Sequence, residues 1–264
     1  MIFETGRISA NGSIAELLWR MEIHAPRIAA NYRGSGQFLN ILGSRHWEHP
    51  LRRPMSIAGV TGTRIQIIYK QVGPITSLLA SKKPDMEIDL LGPIGNQFTG
   101  WNIEGIHPVL IGGGTGVAPI LNLHYECQQA GVKHSTIFGA RTKTGHFLQH
   151  APKKEIYLTT DDGSLGISGT VMAALVPLVQ NLNQPAIYAC GPQPMLKVIQ
   201  SFVLSRKIPA QFAVESYMAC GLGLCQGCVI KLNKPLTSRH SYHEKYSLTC
   251  VNGPVYRAEE ICFD

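Results

Sequence analysis

Charged residues are scarce in this chain, at 16% against 44% hydrophobic residues. That balance excludes a disordered chain and fits a globular one. Long apolar runs are missing too. The stretch at 171–179 is nine residues long and holds Pro177, far short of the ~20 residues of a spanning helix. The start, Met1-Ile2-Phe3-Glu4-Thr5, lacks the basic segment and apolar run of a secretory leader. A cytoplasmic protein with no membrane partner is expected. Internal repeats and low-complexity segments are absent. The net charge is +7, but the basic residues occur only in short pairs such as Arg52-Arg53, Lys82-Lys83 and Lys153-Lys154. No stripe of basic and aromatic residues accompanies them, so nucleic acid is not an expected partner. The seven cysteines are odd in number and unevenly spread, which speaks against a secreted disulfide scaffold.

What is present falls into three stretches. Over the first hundred residues Leu17, Trp19, Met21 and Ile23 alternate with Leu18, Arg20, Glu22 and His24. Ile65, Ile67 and Tyr69 alternate with Arg64, Gln66 and Lys70 in the same period of two. Apolar runs at 37–42 and 86–91, the latter ended by Gly92-Pro93, complete a set of short strands. Frequent turn signals between them predict a small closed barrel, with one helix starting near Thr76. Beyond Trp101 short apolar strands at 108–111, 135–139, 156–159 and 186–189 alternate with helical stretches at 117–130, 168–180 and 192–206. Such alternation predicts a parallel sheet with helices on both faces. From about Phe212 the chain is rich in Cys and Gly and too short for a core of its own, as in an appendage ordered by metal.

Cys220, Cys225 and Cys228 have the spacing C-x4-C-x2-C, and Cys250 follows after 21 intervening residues, 229 to 249. This is the plant-type 2Fe–2S ligand spacing. Three thiolates on one tight loop require a backbone that wraps closely. Gly221, Gly223 and Gly227 permit the wrap and let N–H groups face the sulfurs. Structural zinc prefers two separated C-x2-C pairs, of which one exists here, and unligated thiols have little reason to share a Gly-rich loop. Both readings stay open beside the cluster. Cys127 and Cys262 lie outside the pattern and read as ordinary buried thiols.

After the strand at 108–111 come Gly112, Gly113, Gly114, Thr115, Gly116, Val117, Ala118 and Pro119. Strand, glycine turn and helix start together offer unpaired N–H groups and a helix dipole to a pyrophosphate. Pro119 stands where the usual G-x-G-x-x-G has its last glycine, so the site is a variant one. Tyr188-Ala189-Cys190-Gly191-Pro192 ends a later strand at the same sheet edge. Cys190 there is either a small buried residue or a neighbour of a nicotinamide ring.

Four segments together resemble the ferredoxin–NADP reductase superfamily. They are Arg53-Pro54-Met55-Ser56, the run from Gly112 to Pro119, Cys190-Gly191-Pro192-Gln193-Pro194-Met195, and the C-terminal cysteine set. Their order is most similar to that of the electron-transfer subunits of class B dihydroorotate dehydrogenases, over nearly the whole chain. The resemblance implies a multidomain β plus α/β fold. Residues 1–101 would form an antiparallel β-barrel flavin domain, 102–212 a parallel α/β NAD(P) domain, and 213–264 a 2Fe–2S segment. It implies that Arg53, Pro54, Met55 and Ser56 lie along FAD. An arginine offers a fork of donors to phosphate and a serine hydroxyl can reach a flavin oxygen. Ile68, Tyr69, Lys70, Ile75 and Thr76 are further implied flavin contacts, with the Thr76 hydroxyl and N–H turned to the pyrophosphate. Gly112, Gly113, Gly114, Thr115, Gly116, Gly191 and Pro192 would hold the nucleotide, and Cys190 is the candidate catalytic residue. Cys220, Cys225, Cys228 and Cys250 would ligate the cluster. Three places depart from the family pattern: Ile75 replaces a usual Gly, Tyr217 a usual Arg, and the gap from Cys228 to Cys250 is long.

The implied activity is an oxidoreductase subunit passing electrons from NADH through FAD and a 2Fe–2S cluster. The acceptor would be an FMN-containing dihydroorotate dehydrogenase catalytic subunit of pyrimidine biosynthesis, assembled as a heterotetramer. No acidic residue follows 135–139, and Arg141 and Lys143 suit a 2′-phosphate; the resemblance favours NADH. The competing readings are an NAD(P)H:ferredoxin, sulfide or hydrogenase-type reductase subunit, and a redox sensor without enzyme activity. The flavin and nucleotide segments argue against the sensor.

Overall fold

Strands that alternate in period two bury one face each, and the computed structural model closes them into a barrel. It describes residues 1–43, 50–233 and 245–263. The barrel strands are β1 (Ile2–Ala15), β2 (Leu18–His24), β3 (Phe38–Leu42), β4 (Arg53–Thr61), β5 (Arg64–Lys70) and β6 (Glu87–Ile94). They are antiparallel and follow the order β1-β2-β5-β4-β3-β6. Helices α1 (Pro26–Ala30) and α2 (Pro74–Ser81) lie in the connections. Met21 and Ile23 of β2, Leu39 and Ile41 of β3, and Ile65, Ile67 and Tyr69 of β5 fill the interior.

Two expectations change. Leu17 is not a strand residue: it sits in the β1–β2 turn at φ 57, half exposed, and Leu18 is the buried one. β6 does not stop at Gly92-Pro93 but runs through them to Ile94.

The second layer system contains β7 (His107–Gly113), α3 (Val117–Gln129), β8 (Ser135–Ala140), β9 (Ile156–Thr160), β10 (Ile167–Ser168), α4 (Val171–Gln180), β11 (Pro185–Cys190), α5 (Gln193–Arg206) and β12 (Ala210–Ala213). Its parallel strands are buried on both faces. Val109 and Ile111 of β7 pack with Leu175, Leu196 and Val203 of α4 and α5. Leu110 faces the other way, toward Ile120 and Leu123 of α3. That second face also meets the barrel, through Ala58 and Ile68. Asn122 on α3 fastens the two units, its Nδ2 donating to the Ile57 carbonyl at 3.0 Å. Helix α4 starts at Val171 rather than 168, because the Thr170 side chain caps it by accepting from Met172 N–H.

The C-terminal segment is more than an appendage. β13 (Val229–Lys231) and β14 (Tyr246–Leu248) form a two-stranded ladder, and β15 (Val255–Arg257) returns to pair antiparallel with β12. Tyr256, Ala258 and Ile261 thereby enter the α/β core. No helix among the described residues is long and apolar enough to cross a membrane.

Candidate functional site

The four cysteines of the motif come together as two pairs. Cys220 Sγ lies 3.3 Å from Cys225 Sγ, and Cys228 Sγ lies 3.1 Å from Cys250 Sγ. The β13–β14 ladder brings Cys250 back, with Val229 opposite Leu248 and Thr249 N–H on the Cys228 carbonyl at 2.8 Å. The long gap between Cys228 and Cys250 is therefore closed by pairing at its two ends. Residues 234–244 of that gap lie outside the described residues. Gly221 at φ 68 and Gly223 at φ 83 supply left-handed backbone as expected. Gly227 does not; the third such residue of the loop is Gln226, at φ 53.

Backbone N–H groups face the sulfurs. Leu222 and Cys225 donate to Cys220 Sγ at 3.3 and 3.4 Å. Desolvation pushes the Cys220 thiol up, yet these donors together with the Cys225 thiol outweigh it and hold its pKa at about 7. The hydrogen bond from Cys250 holds Cys228 down at about 6, and the same contact pushes Cys250 up. Among the described residues no three Cys, His, Asp or Glu side chains converge on one point. A single tetrahedral zinc needs four ligands around one centre, whereas a two-iron core takes thiolates in pairs. The arrangement fits the 2Fe–2S group.

This loop rests on the barrel beside the flavin-motif strand. Phe38 packs against Cys228 and Cys250, with Leu91 and Ile94. Burying a phenyl ring in this way contributes ~1.5–3 kcal/mol. Across the β3–β4 ladder Phe38 is opposite Ser56 and Asn40 opposite Pro54. Residues opposite each other share a face, and the strands lie ~4.8 Å apart. Pro54 and Ser56 therefore occupy the same outer face as the residues that carry the thiol loop.

The other implied flavin residues divide. Arg53, Pro54, Met55 and Ser56 are half-buried. The Arg53 guanidinium rests on the carbonyls of Leu51 and Arg52 at 3.1 and 3.3 Å. Ile68 faces α3, whereas Lys70 is exposed. The Tyr69 side chain turns into the barrel, its hydroxyl donating to Asn11 Oδ1 at 3.0 Å. The Thr76 hydroxyl is engaged within its own helix turn: it accepts from Val72 and Gly73 N–H and donates to the Gly73 carbonyl. Ile75 is buried, and a Cβ on Gly43 would lie 2.6 Å from its Cγ2. Tyr217, in the place of the usual Arg, is 95% exposed.

The carboxyl ends of β7, β11 and β12 form the nucleotide edge. The turn Gly114–Gly116 leads into α3. It touches the turn after β11 so closely that a Cβ on Gly116 would lie 2.2 Å from the Cys190 carbonyl oxygen. Met195 packs over Gly113 and Gly191, and Pro192 precedes α5. Cys190 is buried, and burial together with nearby Glu215 pushes its thiol far up. It is a neutral thiol at neutral pH. Thr115 Oγ1 donates to Glu215 Oε1 at 3.0 Å. Glu215 joins this edge although the motifs give it no role of its own; its signal in the sequence is that it opens the distinctive run to Cys228. At the end of β8, Arg141 and Lys143 are exposed. The turn after β9 lies beside them by its backbone, with Asp162 N–H on the Arg141 carbonyl at 3.3 Å, while the Asp162 carboxylate accepts from Ser164.

A closed barrel, a nucleotide-binding parallel sheet and a thiol loop on the barrel's flank define an oxidoreductase built like the ferredoxin reductases. Comparison with known proteins agrees. Residues 215–262 match the iron–sulfur cluster binding domain of dihydroorotate dehydrogenase B, and 110–201 match the oxidoreductase NAD-binding domain. The chain is 33% identical over 262 residues to the dihydroorotate dehydrogenase B (NAD+) electron transfer subunit of Bacillus caldolyticus, covering 96% of each chain. It is 34% identical over 268 residues to the same subunit of Fusobacterium nucleatum, covering 99% of each. A solved structure of the NADH-dependent reduced ferredoxin–NADP oxidoreductase is similar with a TM-score of 0.81 at 26% identity, covering 98% of this chain and 90% of that one. Phthalate dioxygenase reductase shares the fold, with a TM-score of 0.64 at 15% identity over 94% of both chains. The chain belongs to the family of dihydroorotate dehydrogenase B electron transfer subunits.

Proposed function

We propose that this chain passes electrons from NADH to an FMN-containing dihydroorotate dehydrogenase catalytic subunit, with which it forms a cytoplasmic heterotetramer. Residues 1–101 hold FAD, 102–212 bind the nicotinamide nucleotide and 213–264 hold the cluster. FAD accepts an electron pair and releases electrons singly, and a 2Fe–2S cluster carries one at a time. The N–H groups of Gly113, Gly114 and Thr115 bind the pyrophosphate at the start of α3. The neutral Cys190 thiol and the Thr115–Glu215 pair shape the pocket for the nicotinamide ring. Pro54 and Ser56 orient the flavin on the outer face of β4, and Arg53, opposite Ile41 at the start of that strand, reaches it from the strand's end. Leu222, Leu224 and Val251, exposed by 38, 81 and 51%, form an apolar rim around the thiol loop for the partner.

The observation that carries this reading is the adjacency of two faces: Pro54 and Ser56 stand opposite Asn40 and Phe38, which hold the thiol loop. Co-expression with the catalytic subunit tests it. NADH-dependent reduction of orotate should require both chains; orotate turnover that is unchanged by adding this chain overturns the assignment. The likeness to the NADH-dependent reduced ferredoxin–NADP oxidoreductase favours a second reading, a subunit of a ferredoxin-linked reductase. Ferredoxin reduction without the dehydrogenase partner would support that reading instead.

A further inference from the structure

Asn40 is a fully buried amide on the outer face of β3, within a barrel wall that is otherwise apolar at this point. Its Nδ2 donates to the Cys220 carbonyl at 3.2 Å, across 180 residues of sequence. The amide packs directly on the next residue: a Cβ on Gly221 would lie 1.9 Å from Nδ2. Only a glycine lets the loop come this close. The Asn40 Oδ1 is buried with no hydrogen-bond partner among the described residues. An unsatisfied buried acceptor is costly, so an apolar residue would serve stability better unless the donor has a task. The backbone of Asn40 is held in turn. Its carbonyl accepts from Arg52 Nη1 at 3.2 Å, and Arg52 Nη2 pairs with Asp89 at 2.6 Å.

We propose that Asn40 is a positioning residue for the iron–sulfur loop, clamping the Cys220–Gly221 peptide against the flavin-side strands so that the loop's N–H groups stay aimed at the Cys220 sulfur. In a trans peptide the C=O and the following N–H point in opposite directions. With the Cys220 carbonyl pinned to the barrel, the Gly221 N–H points away from it, into the loop. The next donors, Leu222 and Cys225, already reach Cys220 Sγ. N–H groups on cluster sulfurs favour the reduced, more negative state and raise its potential. The inference rests on the cluster reading of the four cysteines.

The test uses the purified holoprotein and its Asn40→Ala, Gly221→Ala and double variants. Iron content, the EPR spectrum and the midpoint potential of the reduced cluster are measured, with flavin reduction by NADH as a control. Asn40→Ala should keep FAD and the control rate, shift the cluster potential in the negative direction and alter its EPR spectrum. Removing such an orienting partner typically costs about 10–100-fold in metal affinity or activity, so iron should be lost to a chelator at least about tenfold faster. Gly221→Ala should act in the same direction by pushing the loop off the amide. In the double variant the methyl group finds room, so its effect should fall well short of the sum. An Asn40→Ala protein with the unaltered potential and spectrum, or strictly additive variants, overturns the inference. If Asn40→Ala does not fold, Gly221→Ala decides alone: an unshifted potential overturns it. An unsubstituted protein that binds no iron overturns the cluster reading itself, which is a different failure.

Discussion

Thr115 and Glu215, a hundred residues apart, are joined by a hydrogen bond of 3.0 Å at the nucleotide edge. Thr115 belongs to the glycine turn after β7 and Glu215 follows β12, so the bond spans the mouth of the site. It also sets the carboxylate near the buried Cys190 thiol. Glu215→Ala should slow flavin reduction by NADH by about tenfold or more, since small misplacements of a reacting ring are costly. Stopped-flow absorbance of the flavin measures this. FAD content should not change.

Gly116 tests the contact between the two turns. A methyl group there would meet the Cys190 carbonyl at 2.2 Å, a backbone atom that cannot step aside. Gly116→Ala should lower stability by ~1–3 kcal/mol, as overpacking does, and raise the KM for NADH. Thermal unfolding and steady-state kinetics with a soluble dye read the two effects separately.

Cys225 is the exposed member of its pair. Cys225→Ser should lose the cluster and keep FAD, because the flavin face proposed on the barrel does not include the thiol loop. Dye reduction by NADH should survive while electron delivery to a protein partner disappears. Loss of both cofactors together would show that flavin and cluster sites are not separable in this way.

His124 gives the fold a pH dependence. It is buried on α3, 2.9 Å from Thr136 Oγ1 and 2.9 Å from His134 Nε2. Burial pushes its pKa down from 6.5 to about 4, and His134 pushes the same way. Between these values the unfolded chain binds a proton that the folded protein does not. The stability tied to neutral His124 is therefore fully present above about pH 6.5 and is lost as the pH falls toward about 4. Burial also pushes His107, His134 and His146 down, with the same sign. Urea unfolding at pH 7 and pH 5 should show a smaller acid loss in His124→Gln than in the unsubstituted protein. Equal losses would remove His124 from the explanation.

Much of this is legible in the sequence wherever the physical signal is local. β2 and β5 alternate visibly because one face of each is buried against the barrel core. The parallel strands read as short apolar runs because both their faces are covered. C-x4-C-x2-C sits within nine residues, so its chemistry needs no tertiary information. Other parts have no local signal. β1 is exposed or half-exposed along most of its length, with only Gly6 and Ile8 buried, and the small residues Gly6, Ala10 and Gly12 at its alternate positions make its pattern weak. β15 is three residues long and is a strand only because β12 offers it an edge. Tyr69 carries an implied flavin role by position, but the pleat of β5 turns its ring inward. Asn40 and Glu215 acquire their partners from 180 and 100 residues away, and a single polar residue gives no periodicity to read.

Electrons should follow a single path from NADH through the flavin face of the barrel to the paired thiols beside it. The most direct measurement is anaerobic titration of the purified protein with NADH, followed by flavin absorbance and low-temperature EPR on the same samples. The flavin bands should bleach and the EPR signal of a reduced 2Fe–2S cluster should then grow in, abolished in Cys225→Ser. A protein that contains iron and FAD but shows no cluster signal after its flavin is reduced would contradict this path.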